Sequence, residues 1–202
     1  MKIAIVGATG TIGKAVTEAL SKSHEIVALS RSGVENRTDI TSKASLEKAF
    51  AAIGKIDAIV CAAGGAVFKP LAALSDADFE KCLQDKLMGQ VNVVRVGSQY
   101  VRPGGSITIT SGVLAQEPMP GAAAISLVNA GLEGFGRAAA LELASDKIRV
   151  NVVSPPWVSE TLVALKMDPA NGHPASEVAK AYVHSVEGNM TGRTIDARKV
   201  IS

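Results

Sequence analysis

The chain has 202 residues, enough for one α/β domain with a full hydrophobic core and little besides. Its net charge is +2, from 21 basic and 19 acidic side chains with no basic cluster, so nothing points to nucleic acid or an anionic membrane surface as a partner. Cys61 and Cys82 are too few for a disulfide framework and lack metal-ligand spacing, no apolar run reaches the ~18 residues of a membrane span, and a first strand at Lys2 leaves no room for a leader; a cytoplasmic protein without a metal site is expected.

The run Lys2-Ile-Ala-Ile-Val6 has buried-strand character and enters a glycine-rich turn, Gly7-Ala-Thr-Gly10-Thr-Ile-Gly13. The turn opens a helix predicted over Thr11–Ser21, with Ile12, Ala15, Val16, Ala19 and Leu20 at helical spacing. Strand, turn and helix in this order suit a dinucleotide. Gly7 permits the tight turn, Gly10 lets the backbone approach a pyrophosphate, and Gly13 lets the helix pack close to the strand. Free N–H groups at the helix start favour the phosphates, which marks Thr9, Thr11 and Ile12 as cofactor-facing with the three glycines.

A second strand is predicted at Glu25–Ser30. Ser30-Arg31-Ser32 follows it, where a carboxylate would receive the ribose hydroxyls of NAD. A guanidinium and two hydroxyls suit a 2′-phosphate instead, so NADP(H) is expected in preference to NAD(H); a solvated loop arginine is the alternative. Only Arg31–Arg37 separates this strand from a third at Thr38–Ile40. That link is shorter than the ten or so residues of a helical crossover, so a helix usual in doubly wound sheets is expected to be missing there.

Helices are then predicted over Lys43–Ile53, Ser75–Val101, Ala122–Ala144 and Ser176–Val186, alternating with strands at Asp57–Ala62, Ser106–Thr110, Arg149–Ser154 and Arg193–Asp196. Such alternation implies a single domain, residues 1–202, built on a doubly wound parallel sheet with helices on both faces. Val158–Pro174, with Pro169, Gly172 and Pro174, reads as a mobile loop at the carboxyl ends of the strands, inside a substrate-loop region spanning 156–186.

Taken together these segments resemble the short-chain dehydrogenase/reductase family over nearly the whole chain, which implies a Rossmann fold. The glycine turn resembles the family's cofactor signature in a spacing nearer its atypical and extended members. Asp39-Ile40 sits where the family holds adenine, although Asp39 as a turn-capping residue is an equal reading of the residues alone. Cys61-Ala62-Ala63-Gly64 resembles the family's Asn-Asn-Ala-Gly segment, Ser106–Ser111 the strand ending in its catalytic serine, and Arg149–Pro155 the strand leading to the nicotinamide. The resemblance implies cofactor contacts at Ala62, Ala63, Gly64, Pro155 and Val158. It also implies pairing through the helices Ser75–Val101 and Ala122–Ala144, hence a homodimer or homotetramer, with Gly131, Gly134 and Gly136 permitting close approach.

The departures concern the chemistry. The family's tyrosine and lysine, four residues apart on one helical face, align with Ile125 and Asn129, and its active-site asparagine aligns with Lys86. Lysine and asparagine are thus exchanged between two facing helices, and the tyrosine proton donor is absent. Ser111, at a strand end, is the expected partner of a substrate carbonyl, against a turn hydroxyl satisfying local backbone. Lys86 is read evenly as a solvated helix lysine or as a pocket lysine whose pKa burial lowers into an acid–base role. Ile125 also belongs to an apolar helical stripe. Trp157 either covers the nicotinamide or packs under a loop, and His24, His173 and His184 are expected at the surface.

Two functions follow from this sequence. The first is an NADP(H)-dependent oxidoreductase moving a hydride between nicotinamide and a small carbonyl or alcohol, with Ser111, Lys86 and Asn129 at the reacting centre. The second is a catalytically silent NADP(H) sensor or partner-binding module, favoured by the missing tyrosine and lysine.

Overall fold

A computed structural model describes residues 1–32 and 36–201. Six strands, β1 (Lys2–Val6), β2 (Glu25–Leu29), β3 (Ile56–Cys61), β4 (Val101–Thr110), β5 (Arg149–Ser154) and β6 (Thr194–Asp196), form one sheet in the order β2-β1-β3-β4-β5-β6. Every pairing is parallel. Strands such as Ile-Asp-Ala-Ile-Val-Cys in β3 are apolar nearly throughout because helices cover both of their faces. On one face α2 (Lys43–Ile53) contributes Leu46 and Phe50. Beside it, α4 (Gly89–Gly97) brings Val93 and α5 (Ala123–Glu142) brings Leu132, all against Ile59, Ile107 and Val152. On the other face α1 (Thr11–Ser21) and α7 (Ala175–Glu187) bury Val16, Leu20, Val178 and Tyr182 against Ile3, Ile5 and Val153. The order reverses at β1, which lies between β2 and β3, so the chain leaves β1 and β3 toward opposite sides and opens a crevice at their carboxyl ends.

The glycine turn is dictated by close packing. A Cβ on Gly13 would collide with the carbonyl of Gly7, whose own φ is +88° in the left-handed region. α1 therefore starts against β1 with no side chain between them.

Four sequence expectations need correction. Thr38–Ile40 is not a strand. Arg37 makes a single bridge to Ser30, after which the Asp39 carboxylate accepts from the Thr41 amide (3.0 Å) and hydroxyl (2.9 Å), turning the chain off the sheet edge. No helix lies between β2 and α2 among the described residues; positions 33–35 of the short link fall outside them. The helix expected over Ser75–Val101 divides into α3 (Asp76–Cys82), a π-helical turn at Leu83–Met88, and α4, and Val101 already begins β4.

Val158–Pro174 is not a free loop either. It carries α6 (Ser159–Ala164) and a 3₁₀ turn at Pro169–Asn171. The Ser159 amide donates to His173 O at 2.9 Å and the Ala175 amide to the Glu160 carboxylate at 3.0 Å, which fastens the segment to α7. Finally, two of the three α5 glycines serve packing within the chain, Gly136 against Val152 and Gly131 against Leu87. Gly136→Val would drive methyl groups into Val152, and a loss of about 1–3 kcal/mol is expected in urea unfolding; an unchanged midpoint would contradict this packing. A short α8 (Arg198–Ile201) closes the described chain.

Candidate functional site

The crevice divides into two clefts. The first, of about 610 Å³, lies beyond β1 and β2 and is lined by Gly7, Thr9, Gly10, Ser30, Arg31, Ser32, Asp39 and Ile40, with Ala62–Gly64 at its inner end. Thr9 Oγ1 and Ser32 Oγ stand 3.2 Å apart across it. Of the remaining turn residues, Ile12 faces the second cleft, whereas Thr11 is exposed and lines neither, and Gly13 is buried as a packing residue. Asp39 caps the turn at Thr41, as one of its readings had it, and it also lines the cleft. Its carboxyl is held below the usual carboxylate range chiefly by the Thr41 amide, then by the Thr41 hydroxyl, with Arg31 and Arg37 adding to the effect. A side cavity next to this cleft gathers Arg31, Arg37, Ser45 and Lys48. Arg37 and Lys48 were not marked by the sequence, because only the turn at Asp39 returns the chain beside Arg31.

The second cleft, of about 210 Å³, brings together Lys86, Ser111, Ile125, Asn129, Pro155, Trp157 and Val158, which come from four separate segments of chain. Lys86 sits within the π-helical turn, a local widening that occurs often at functional sites. Its backbone approaches so closely that a Cβ on Gly64 would stand 3.0 Å from Lys86 Cα; Gly64 also has φ +123°. Lys86 is 8% exposed, and its Nζ donates to Ser111 O at 3.1 Å. Removal from water disfavours its ammonium and lowers the pKa to about 8.

Ser111 Oγ donates to Glu133 Oε1 at 3.1 Å, and Gln116 Nε2 donates to Glu133 Oε2 at 3.0 Å. Glu133 was missed in the sequence, although its place four residues after Asn129 puts it on the same face of α5. The hydroxyl hydrogen expected to meet a substrate carbonyl is therefore already engaged. Asn129 is 1% exposed, and its Oδ1 has no hydrogen-bond partner. Gln90 and Thr110, which also line the cleft, are satisfied inside the protein. Gln90 brackets the Thr110 backbone at 2.7 and 2.8 Å, and Thr110 Oγ1 donates to Cys61 O at 2.6 Å while accepting from the Tyr182 hydroxyl at 2.8 Å. Tyr182 does not replace the missing tyrosine: it is wholly buried, and desolvation raises its pKa. Burial likewise pushes the Cys61 thiol up to about 12.

Ile125 faces the cleft from α5. Trp157 lines it and also meets the ring of Phe68 edge-on at 5.8 Å, so it packs as one of its two readings had it while facing the cleft. None of the three histidines lines either cleft, although the His173 backbone pairs with Trp157 and Val158, which do. His24 is largely covered, contrary to the surface position expected, because Nε2 bonds Glu187 at 2.9 Å. Among the described residues no cluster of His, Cys, Asp and Glu is arranged to hold a metal, and no helix is long and apolar enough to cross a membrane.

Residues 3–190 match the model of a family described as enoyl-(acyl carrier protein) reductase. Hydroxynaphthalene reductase arp2 of Aspergillus fumigatus is 26% identical over 154 residues, an overlap covering 74% of this chain and 56% of that protein. The chain thus spans little more than half the length of this relative. The crystal structure of lin1944 from Listeria innocua is 36% identical, with a TM-score of 0.91 over 96% of this chain and 98% of its own. A small-chain dehydrogenase solved in complex with NADPH is 26% identical, with a TM-score of 0.84 over 100% of this chain and 99% of its own.

Proposed function

Because the chain belongs to the short-chain dehydrogenase/reductase family, we propose that it is an NADP(H)-dependent oxidoreductase acting on a small carbonyl or alcohol. The observation that carries this reading is a buried lysine with a lowered pKa, opening on an apolar cleft continuous with a glycine-turn crevice. The residues present fit the cofactor. Gly7, Gly10 and α1 are arranged for a pyrophosphate, Asp39 and Ile40 for adenine, and Arg31 with Arg37, Ser45 and Lys48 for a 2′-phosphate. Asn129 Oδ1, a buried acceptor without a partner, is suited to a ribose hydroxyl, and Ala62–Gly64, Pro155 and Val158 wall the nicotinamide end. When bound, the reduced nicotinamide supplies a hydride.

In this reading the chain does the rest. Lys86 donates to the substrate oxygen, stabilises its developing negative charge and gives it a proton. Ser111 and Asn129 fix the polar edge of the cleft, and Trp157 within 156–186 covers its mouth. The NADPH-bound relative supports the cofactor assignment. The expected test is calorimetric titration with both cofactors. NADPH should bind more tightly than NADH, and Arg31→Ala should weaken NADPH alone by about 1.5–3 kcal/mol; equal binding of the two cofactors would refute the phosphate assignment.

Ile125 at the position of the family's tyrosine favours one other reading, an NADP(H) sensor without turnover. Assays with NADPH and a panel of aldehydes, ketones and quinones separate the two. In either case a homodimer or homotetramer is expected, since Leu127 and Leu141 on α5 are 51% and 80% exposed. A monomeric mass by light scattering at micromolar concentration would exclude it.

A further inference from the structure

We propose that Glu133 holds Ser111 as a hydrogen-bond acceptor toward the reaction cleft, so that the site selects carbonyl substrates bearing a hydroxyl on the adjacent carbon. The proposal rests on the reductase reading above and gives it a substrate class. A serine hydroxyl has one hydrogen and two lone pairs. In Ser111 that hydrogen goes to Glu133 Oε1, and Gln116 fixes the carboxylate from its other oxygen. A carboxylate only accepts, so it has no hydrogen to return, and Ser111 Oγ offers the cleft lone pairs alone. Ser111 is 3% and Glu133 6% exposed, so water does not freely replace these partners.

The rest of the cleft sharpens the requirement. Gln90 and Thr110 are engaged inside the protein, and much of the remaining wall is apolar, with Ile125, Trp157 and Val158. Lys86 only donates. The cleft therefore presents a cationic donor and an oriented acceptor that meet at one residue, since Lys86 bonds the Ser111 carbonyl while Glu133 bonds its hydroxyl. A carbonyl oxygen satisfies Lys86. The lone pairs of Ser111 then call for a donor close to that oxygen, and a hydroxyl on the next carbon supplies one. A substrate without it leaves a buried acceptor unpaired, the situation in which polar sites discriminate strongly. Glu133 acts through Ser111 and is a positioning residue.

The test compares 2-hydroxyacetophenone with 2-methoxyacetophenone under NADPH. The methoxy ketone keeps the oxygen's electronic effect but has no hydrogen to donate. The wild-type protein should favour the hydroxy ketone at least tenfold in kcat/KM. Ser111→Ala and Glu133→Leu should bring that ratio near one with the Kd for NADPH unchanged, whereas Glu133→Gln, whose amide oxygen still accepts from Ser111, should keep most of it. A wild-type ratio near one, or a ratio unmoved in Glu133→Leu, overturns the proposal; where that variant fails to fold, Ser111→Ala decides alone. If the protein binds NADPH but reduces neither ketone nor any member of the aldehyde, ketone and quinone panel, the reductase reading fails. The acceptor assignment is then read by calorimetry on the NADP complex. 1-Phenyl-1,2-ethanediol should bind at least tenfold more tightly than 2-methoxy-1-phenylethanol, and equal affinities would overturn it.

Discussion

Lys86→Ala is expected to lower carbonyl reduction by about 10²–10⁴-fold, the usual contribution of a positioned acid, while NADPH binding changes little. The separation follows from geometry. The pyrophosphate, adenine and 2′-phosphate contacts assigned above belong to the first cleft and its side cavity, whereas Lys86 opens on the second and bonds Ser111 O. The loss should fall mainly on kcat, because the ammonium matters most when charge develops on the substrate oxygen. In the wild type, reduction should decline as pH rises through about 8, where the ammonium is lost, and this limb should be missing in the variant's residual rate. Full activity in Lys86→Ala would remove the lysine from the mechanism.

The same group predicts a stability signature that needs no substrate. The folded pKa of Lys86, about 8, lies below the ordinary lysine value, so the unfolded chain binds more protons between the two. Stability should therefore rise with pH from about 8 to the ordinary lysine range, and the cost of the buried ammonium is fully present below 8. At ~1.4 kcal/mol per unit this is a few kcal/mol. Lys86→Met should be more stable than the wild type at pH 7 by about 1–3 kcal/mol, after loss of the bond to Ser111 O, and should lack the alkaline rise. Urea unfolding at pH 7 and pH 10 measures both.

Which parts of this molecule the sequence disclosed depends on the range of the interaction concerned. β1, α1, α2 and β5 follow from hydrophobic period and glycine spacing within one segment, and their predicted bounds agree with the fold. Thr38–Ile40 has strand composition, but Asp39 and Thr41 turn it off the sheet by a local side-chain bond that periodicity does not register. The π-helical turn around Lys86 leaves no mark in the apolar spacing, and its close approach to Gly64 joins segments far apart in the chain. At the site, Lys86, Ser111 and Asn129 were found by resemblance, whereas Glu133 required the fold. A glutamate on a helix reads as solvated until β4 is known to end beside it with its serine pointing inward. Arg37 and Lys48 were missed similarly, because the turn that gathers them with Arg31 lies between them.

Restoring the family's pair with Ile125→Tyr and Asn129→Lys is expected to damage this protein unless Lys86 is changed as well. Asn129 is 1% exposed, and both it and Lys86 line a cleft of about 210 Å³. A second ammonium there would meet the first in a poorly hydrated space, where like charges repel and each disfavours the other's charged form. The double variant should be destabilised by several kcal/mol or have one lysine neutral at pH 7, and it should reduce carbonyls more slowly than the wild type. Adding Lys86→Asn completes the exchange in reverse and should recover stability, together with an acid–base profile governed by Tyr and Lys on α5. Urea unfolding and pH–rate profiles of the double and triple variants decide the matter. A double variant that is stable and faster than the wild type would mean that Lys86 and Asn129 are independent substitutions, and it would favour the sensor reading; rescue confined to the triple variant would identify them as one coupled change between facing helices.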